Sequence, residues 1–386
     1  MFDIHLGRKH GNLIAVVDVG SGSAAVTYIA LHPEAPAEVL VAERGTLSIE
    51  ERSKAAAIAA LGECLVQAGE KAAKAYTART RTSAAPDALY CIIRAPWSHS
   101  MNAQASSESE NQKKVTDEMI GGLAQKALAA QTKLDRKNML EATVIRVELN
   151  GYPTAEPTGK PAHELAVWAL VSDCDPQVRA QVQTSLQTLF PHLKPAFRSG
   201  TRATLSILHE RPHAGNDYFV VDMGSESTTL INVRDGAIVE QYVVAEGLDG
   251  ILKRIAPTGM PEDTLSLIRM LGTEQCSSAA CEAIQSAMAK IEPELVRAYG
   301  EGMAACVATR RLPGKLFLIV RPEMADWLAR FFSRIDFTQF TLTTQPFAVE
   351  TVTPKDFSQW IVPGKEVTLD TESALFAALA VKEERS

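Results

Sequence analysis

The sequence is poor in the features that most directly announce a function. No apolar run approaches the roughly 20 residues of a membrane-spanning helix, and the start lacks the apolar core of a signal peptide, so a soluble cytoplasmic protein is expected. Positive charge is in deficit: a net charge of −7, with Lys and Arg dispersed, argues against nucleic acid as the main partner. The six cysteines (Cys64, Cys91, Cys174, Cys276, Cys281 and Cys306) lack metal-ligand spacing. Cys276 and Cys281 read as neighbours on a helix face, and all six as reduced, buried thiols. His99, His163 and His192 are isolated, and no Ser/Asp/His order forms a nucleophile elbow. Aromatic residues are only 6% of the chain, and Phe331, Phe332, Phe337 and Phe340 read as core packing rather than base stacking.

What is present is a chain long and apolar enough, at 386 residues and 46% hydrophobic, to bury two or more cores. Its most informative stretch is Tyr218–Ala256. An apolar β run, Tyr218–Val221, ends in Asp222-Met223-Gly224-Ser225, and a second run, Thr228–Val233, follows. Asp235-Gly236 then predicts a tight hairpin into a third strand, Ile238–Val244. Glu246-Gly247-Leu248-Asp249-Gly250 leads into a helix-like run, Ile251–Ile255. The same unit occurs early in the chain: a β run over Leu13–Asp18, then Asp18-Val19-Gly20-Ser21-Gly22-Ser23, then a strand over Ala25–Leu31. One Asp-x-Gly-Ser turn is near noise, because these are ordinary turn residues. Two, each between strands and each early in one half, form a weak internal repeat.

This pair resembles the two phosphate motifs of the actin-like ATPase superfamily, which includes actin, sugar kinases, DnaK-type chaperones, FtsA and PilM. The resemblance implies an α/β, actin/ribonuclease-H-like fold of two lobes around a cleft, with ATP and Mg2+ as cofactors. It assigns Gly20, Ser21, Gly22, Ser23, Gly224, Ser225, Glu226, Ser227 and Thr228 to the phosphates, through backbone N–H groups and hydroxyls. Asp18 and Asp222 would hold Mg2+ through water. Gly247 and Gly250 would let backbone approach the nucleotide at a helix start. Lys290 and Glu294, one helical turn apart, would contact ribose if they are not an ordinary exposed ion pair.

Between the two motifs, Lys114-Val115-Thr116-Asp117-Glu118-Met119, then Leu149-Asn150-Gly151-Tyr152 and Pro157-Thr158-Gly159, are similar in order to the FtsA insert domain. The implied layout is a first-lobe core at 1–95 and 176–208 and an insert at 96–175. The second-lobe core falls at 209–250 and 311–386, with a small helical subdomain at 251–310. Departures weigh against hydrolysis. Glu226 stands where the family has glycine, and a carboxylate repels a polyphosphate. Thr229 replaces an aspartate, Arg321-Pro322 replaces the adenosine glycines, and Ser199-Gly200-Thr201-Arg202 lacks a residue to orient water. At most a weak ATPase is implied.

Elsewhere the residues predict a polar lead-in (Met1–Gly11), a helix over Ile49–Ala72 capped by Ser48 with Glu50 and Glu51 in its first turn, and a basic linker over Ala75–Pro86. The segment from Gln104 to Lys114 reads as a mobile polar loop. Thr116 caps a helix to Ala130, and Asp175 one over Pro176–Leu189. Helices are expected at Glu262–Leu271, Ala279–Lys290, Glu294–Ala308, Ala325–Phe332 and Thr371–Val381, with a strand at Thr338–Thr343. No basic amphipathic anchor follows the last helix, so membrane access would run through a partner. Function is expected to be that of an FtsA-like cytoskeletal adaptor of cell division, acting by protein contacts with an FtsZ-type tail or other divisome proteins and by self-association into filaments. The alternatives are a PilM-like pilus platform gripping the tail of an inner-membrane protein, and an active ATPase or kinase.

Overall fold

The computed structural model describes residues 13–50, 52–211, 214–273, 275–276, 278–307 and 310–385. The Met1–Gly11 lead-in and Glu51 lie outside them. The first half runs β1 (Leu13–Val19), β2 (Ser23–Ala30), β3 (Ala37–Thr46), α1 (Lys54–Thr80), β4 (Ala88–Ile93), β5 (Ser98–Lys114), α2 (Asp117–Ala130), β6 (Met139–Leu149), β7 (Tyr152–Pro153), β8 (Pro161–Cys174), α3 (Pro176–Leu189), β9 (Ala196–Ser199) and α4 (Gly200–Leu208). The second half runs β10 (Tyr218–Met223), β11 (Thr228–Arg234), β12 (Ala237–Val244), α5 (Leu248–Ile255), α6 (Pro261–Gly272), α7 (Ala279–Cys306), β13 (Lys315–Ile319), α8 (Pro322–Phe332), β14 (Ala348–Thr351), β15 (Ile361–Pro363) and α9 (Thr371–Arg385).

The repeat in sequence is a repeat in topology. The first sheet contains the order β3-β2-β1-β4-β9, and the second is β12-β11-β10-β13-β14. In each, the opening strand pairs antiparallel with the next and parallel with a later one. The central strands LIAVVDV and YFVVDM are near-continuous apolar runs because helices cover both sheet faces. Asp18 aligns with Ala25 and Ile92, and Asp222 with Thr229 and Ile319, so the two aspartates hold equivalent places. At the β11–β12 turn Asp235 and Gly236 both have positive φ, as a two-residue hairpin requires.

The third sheet, β5-β8-β6-β7, belongs to the insert, and α2 packs on it through Leu123, Ala124 and Ala127. Here the polar run to Lys114 is a correction: it is strand, not loop, held along β8 despite its Ser/Glu/Lys content. The ladder to β8 runs from Ser98 to Glu108 and resumes at Lys113 and Lys114, and exposed strand residues need no apolar side chains where such a ladder holds them. Asn102 Nδ2 donates to Ile238 O, and Arg146 Nη1 donates to Asp235 O at 3.0 Å, so the insert rests on the β11–β12 hairpin of the second lobe.

Further differences have local causes. The first long helix starts at Lys54 under a Ser53 cap and ends at Arg81 in the left-handed region, taking in much of the expected linker; Ser48 bonds Glu50 and Arg52 instead. α7 is one helix through Pro293, although an interior proline costs about 3 kcal/mol. Burial of Ile291, Leu295 and Tyr299 on either side of it outweighs that cost. The expected strand at Thr338–Thr343 is largely a 3-10 turn, which seats Phe337 against Phe331 and Phe332 at 5.3 and 5.7 Å. Cys276 precedes α7 and Cys281 lies in its first turn, with Cα atoms 6.0 Å apart, so the two are neighbours in space but not on one helix face. Helices α5 to α7 share one core with the second sheet instead of forming a separate cluster. The chain also returns to the first lobe: β15 extends the first sheet beside β3, and α9 packs on α4 and under β1 to β3. The middle of α9, residues 374–381, is apolar on every side and buried, the mark of a core helix, while its two ends are charged.

Candidate functional site

The two Asp-x-Gly-Ser loops meet. Each closes the same tight turn, Gly20 N donating to Ser23 O and Gly224 N to Ser227 O, both at 2.9 Å. They then bond directly across the lobes, with Glu226 N donating to Ser21 Oγ at 3.1 Å. A β-carbon on Gly22 would lie 2.5 Å from Ser225 Cβ, so nothing thicker than van der Waals contact separates the loops there. The start of α5 is also closed. Leu248 N donates to Gly224 O (3.0 Å) and Asp249 N to Ser225 O (2.9 Å), so these first-turn donors face the loop's own carbonyls. A β-carbon on Gly247 would fall 2.4 Å from Ser225 O, which is why glycine is required at this cap.

Other candidate groups are similarly committed. Ser23 Oγ accepts from Arg44, and Thr228 Oγ1 donates to Glu246 O at 2.7 Å. Ser227 Oγ is buried without a hydrogen-bond partner. A β-carbon on Gly250 would approach Glu246 Oε1 to 2.8 Å. Glu294 pairs with Arg254 at 3.0 Å and Lys290 is exposed, so the two do not form the expected pair.

Beneath the loops lies an ion network that the sequence patterns do not announce. Asp18, with its side chain 3% exposed, faces Arg94 Nε at 2.8 Å and Arg44 Nη1 at 2.7 Å. Arg94 also pairs with Glu372, at the first turn of α9. Arg44 grips Asp370 in a fork, Nε to Oδ2 at 3.0 Å and Nη2 to Oδ1 at 3.1 Å, and reaches Glu372 at 3.3 Å. The Arg94 guanidinium lies so close under Gly20 that a β-carbon there would be 2.4 Å from Nη2. Trp97 Nε1 donates to Gly20 O at 3.0 Å and fixes the same turn from the side.

The electrostatics follow from burial. Burial would lower both guanidiniums, but Asp18 and Glu372, with Asp370 beside Arg44, outweigh it and hold them above the ordinary arginine value. Burial pushes the Asp222 carboxyl up to about 7; Arg94 pulls it down, while Glu372 and Asp18 push it further up. Glu372 is also raised by burial, against the pull of Arg94 and Arg44. Asp249 rises to about 6 through burial and the Glu226 charge.

ATP and Mg2+ do not fit this arrangement. Hydrated Mg2+ needs free carboxylate oxygens, and both oxygens of Asp18 face guanidiniums. A polyphosphate needs open N–H groups and a gap between the loops, and the loops touch. Of the two aspartates expected at the metal, Asp18 lies between Arg44 and Arg94, and Asp222 stands beside the same network without an ion pair of its own among the described residues. No cluster of His, Cys, Asp or Glu able to hold a metal occurs elsewhere among the described residues. Sequence reasoning missed Arg44, Arg94, Asp370 and Glu372. The only local signal was an arginine directly after a fully apolar strand, at Ile93-Arg94.

Over 95% of this chain and 98% of that one, the structure aligns with a protein of a PilM-PilN type IV pilus biogenesis complex, with a TM-score of 0.54 and 15% identity. The chain has the actin-like ATPase fold. With the insert sheet spliced between its two Asp-x-Gly-Ser units, the fold is the FtsA/PilM variety. Weaker likenesses are to the ethanolamine utilization protein EutJ from Carboxydothermus hydrogenoformans (TM-score 0.45, 11% identity, 95% of this chain, 89% of that one) and to component A of the Acidaminococcus fermentans (R)-2-hydroxyglutaryl-CoA dehydratase (TM-score 0.36, 10% identity, 97% and 99%). No protein-family model and no curated protein matches the sequence. No helix among the described residues is long and apolar enough to cross a membrane.

Proposed function

We propose that this protein is an actin-fold adaptor, a PilM-like assembly platform that works by holding a protein partner rather than by turning over a nucleotide. The observation that carries this reading is the direct loop-to-loop contact, Glu226 N on Ser21 Oγ, which leaves no gap for a phosphate chain. With the cleft given over to internal packing, function moves to the surfaces. The insert is the surface that distinguishes this fold from a plain two-lobed one. At its hairpin tip Tyr152 is 77% exposed after the Asn150-Gly151 turn, whose residues both have positive φ, and an exposed aromatic suits a partner anchor. The likeness to a protein of a PilM-PilN complex supports a protein partner, and the PilM resemblance implies that the partner is the tail of an inner-membrane protein.

A second reading, an adaptor of the division machinery, is favoured by the insert residues Thr116-Asp117-Glu118-Met119 and Asn150-Gly151-Tyr152, which are similar to the FtsA signature. Affinity purification from native membranes separates the two. Under the platform reading an inner-membrane protein co-purifies, and Tyr152→Ala weakens its retention. Recovery of a tubulin-like protein, retained equally by the Tyr152→Ala variant, would replace the first reading with the second.

A further inference from the structure

We propose that the protein's own arginines replace a metal beneath its two facing loops: Arg94 and Arg44, clamped between Asp18 and the carboxylates Asp370 and Glu372 at the start of α9, take the cationic place expected of a nucleotide-bound metal.

The placement is specific. Arg94 leaves the end of β4, and its backbone N–H donates to Val19 O at 2.9 Å, so it is fixed at the point where β1 turns into the first loop. Its side chain, 8% exposed, runs under Gly20 and beside Gly200 at the start of α4, where a β-carbon would be 3.0 Å from Arg94 Cγ. Its guanidinium lies 5.9 Å from the Phe376 ring of α9. One side chain therefore touches the first loop, the helix that leaves the first lobe and the helix that returns to it. Arg44 repeats this from the other side, joining β3 to Asp370, Ser373 and Glu372.

The far end of α9 is tied as well. Glu383 takes the Arg198 guanidinium, with Nη2 at 2.8 Å, and Tyr90 donates to Glu384 at 2.8 Å. The helix that enters from the second half is thus anchored in the first lobe at both ends. The second loop meets the first directly above this network, where the Ser21–Glu226 bond joins them. Two cations facing buried carboxylates offset the charge a metal would otherwise be needed for, by proximity alone at Asp18, whose two oxygens make no hydrogen bond, and a buried charge left without its partner is strongly destabilising.

The test uses the full chain and two variants, Arg94→Met and Asp18→Asn/Arg94→Met, read by melting temperature and by the radius of gyration from solution scattering. The single variant should melt lower by on the order of 5–10 °C and expand, because Asp18 and Glu372 lose a cation. The double variant removes one charge of each sign and should recover most of both losses. Wild type should keep the same radius in EDTA, in millimolar Mg2+ and in millimolar Mg·ATP. A wild-type radius that shrinks with Mg·ATP would overturn the proposal. So would a single variant that keeps both the melting temperature and the radius of wild type, or a double variant no better than the single. Where the single variant fails to accumulate, a folded double variant with a radius close to wild type supports the proposal, and a double variant that fails equally overturns it.

Discussion

The two halves were built on one plan and put to different ends. Each has an aspartate at the end of its first strand, the same Gly-to-Ser turn after it, and an arginine just beyond the parallel strand alongside: Arg94 after β4 and Arg321 after β13. In the first half the arginine is buried on the aspartate, Nε to Oδ1 at 2.8 Å. In the second it turns outward to Glu323 with its side chain 48% exposed, and Asp222 has no ion pair of its own among the described residues, burial being the largest influence on it. Equal topology therefore fixes where a residue sits but not what it pairs with. Pairing depends on which neighbours burial has stripped of water, and only the first half receives the carboxylates of α9.

The sharpest way to break this comparison is to remove each arginine in turn. Arg94→Ala should cost about 3–5 kcal/mol in denaturant unfolding, since it strands buried charge. Arg321→Ala should stay within about 0.5 kcal/mol, as exposed pairs do. Equal losses would mean the two sites do not differ as described. Next come the paired glycines. Gly20→Ala drives a β-carbon to 2.4 Å from the trapped guanidinium, whereas Gly224→Ala meets only Ser227 O at 3.2 Å. We expect about 1–3 kcal/mol for the first and a clearly smaller loss for the second, read from the same unfolding curves.

The aspartates should respond with opposite signs. Asp18→Asn destabilises, by removing a carboxylate that two guanidiniums face. Asp222→Asn should stabilise by about 1–2 kcal/mol above neutral pH, allowing for its partial exposure. The sign follows from the raised carboxyl: the folded state keeps its proton up to about 7, while the unfolded chain releases it near the ordinary 3.8. Across that interval the unfolded state binds fewer protons, so stability falls as pH rises and levels off above it. Melting temperatures of wild type and Asp222→Asn across this interval should converge at the acid end and separate towards the alkaline end. Parallel curves would remove Asp222 from the explanation.

Much of this was legible in the sequence, and the limit has a physical form. The apolar β runs, the Asp-Gly hairpin, and the Thr116 and Asp175 caps are signalled within a few residues of where they act, and each is present at the stated position. The helix start at Ser53 rather than Ser48, and a proline inside a well-buried helix, as at Pro293, are settled by packing that a local window does not contain. The polar β5 strand is legible only from its partner β8. Hardest of all was the Asp18 network. Arg44 meets Asp370 across a separation of 326 residues and Arg94 meets Glu372 across 278, with no pattern linking them along the chain. The two loops face each other as the repeat implied, whereas the charges beneath them come from residues that lie outside it.

The most direct measurement is a thermal-shift titration of the wild-type protein with Mg·ATP. A ligand at its dissociation constant raises stability by about 0.4 kcal/mol, and at a hundredfold excess by about 2.7 kcal/mol, so binding in the usual range is plainly visible. A cleft sealed by Arg94 and by touching loops predicts an unchanged melting temperature through millimolar nucleotide. A saturable rise that needs both Mg2+ and ATP would contradict it.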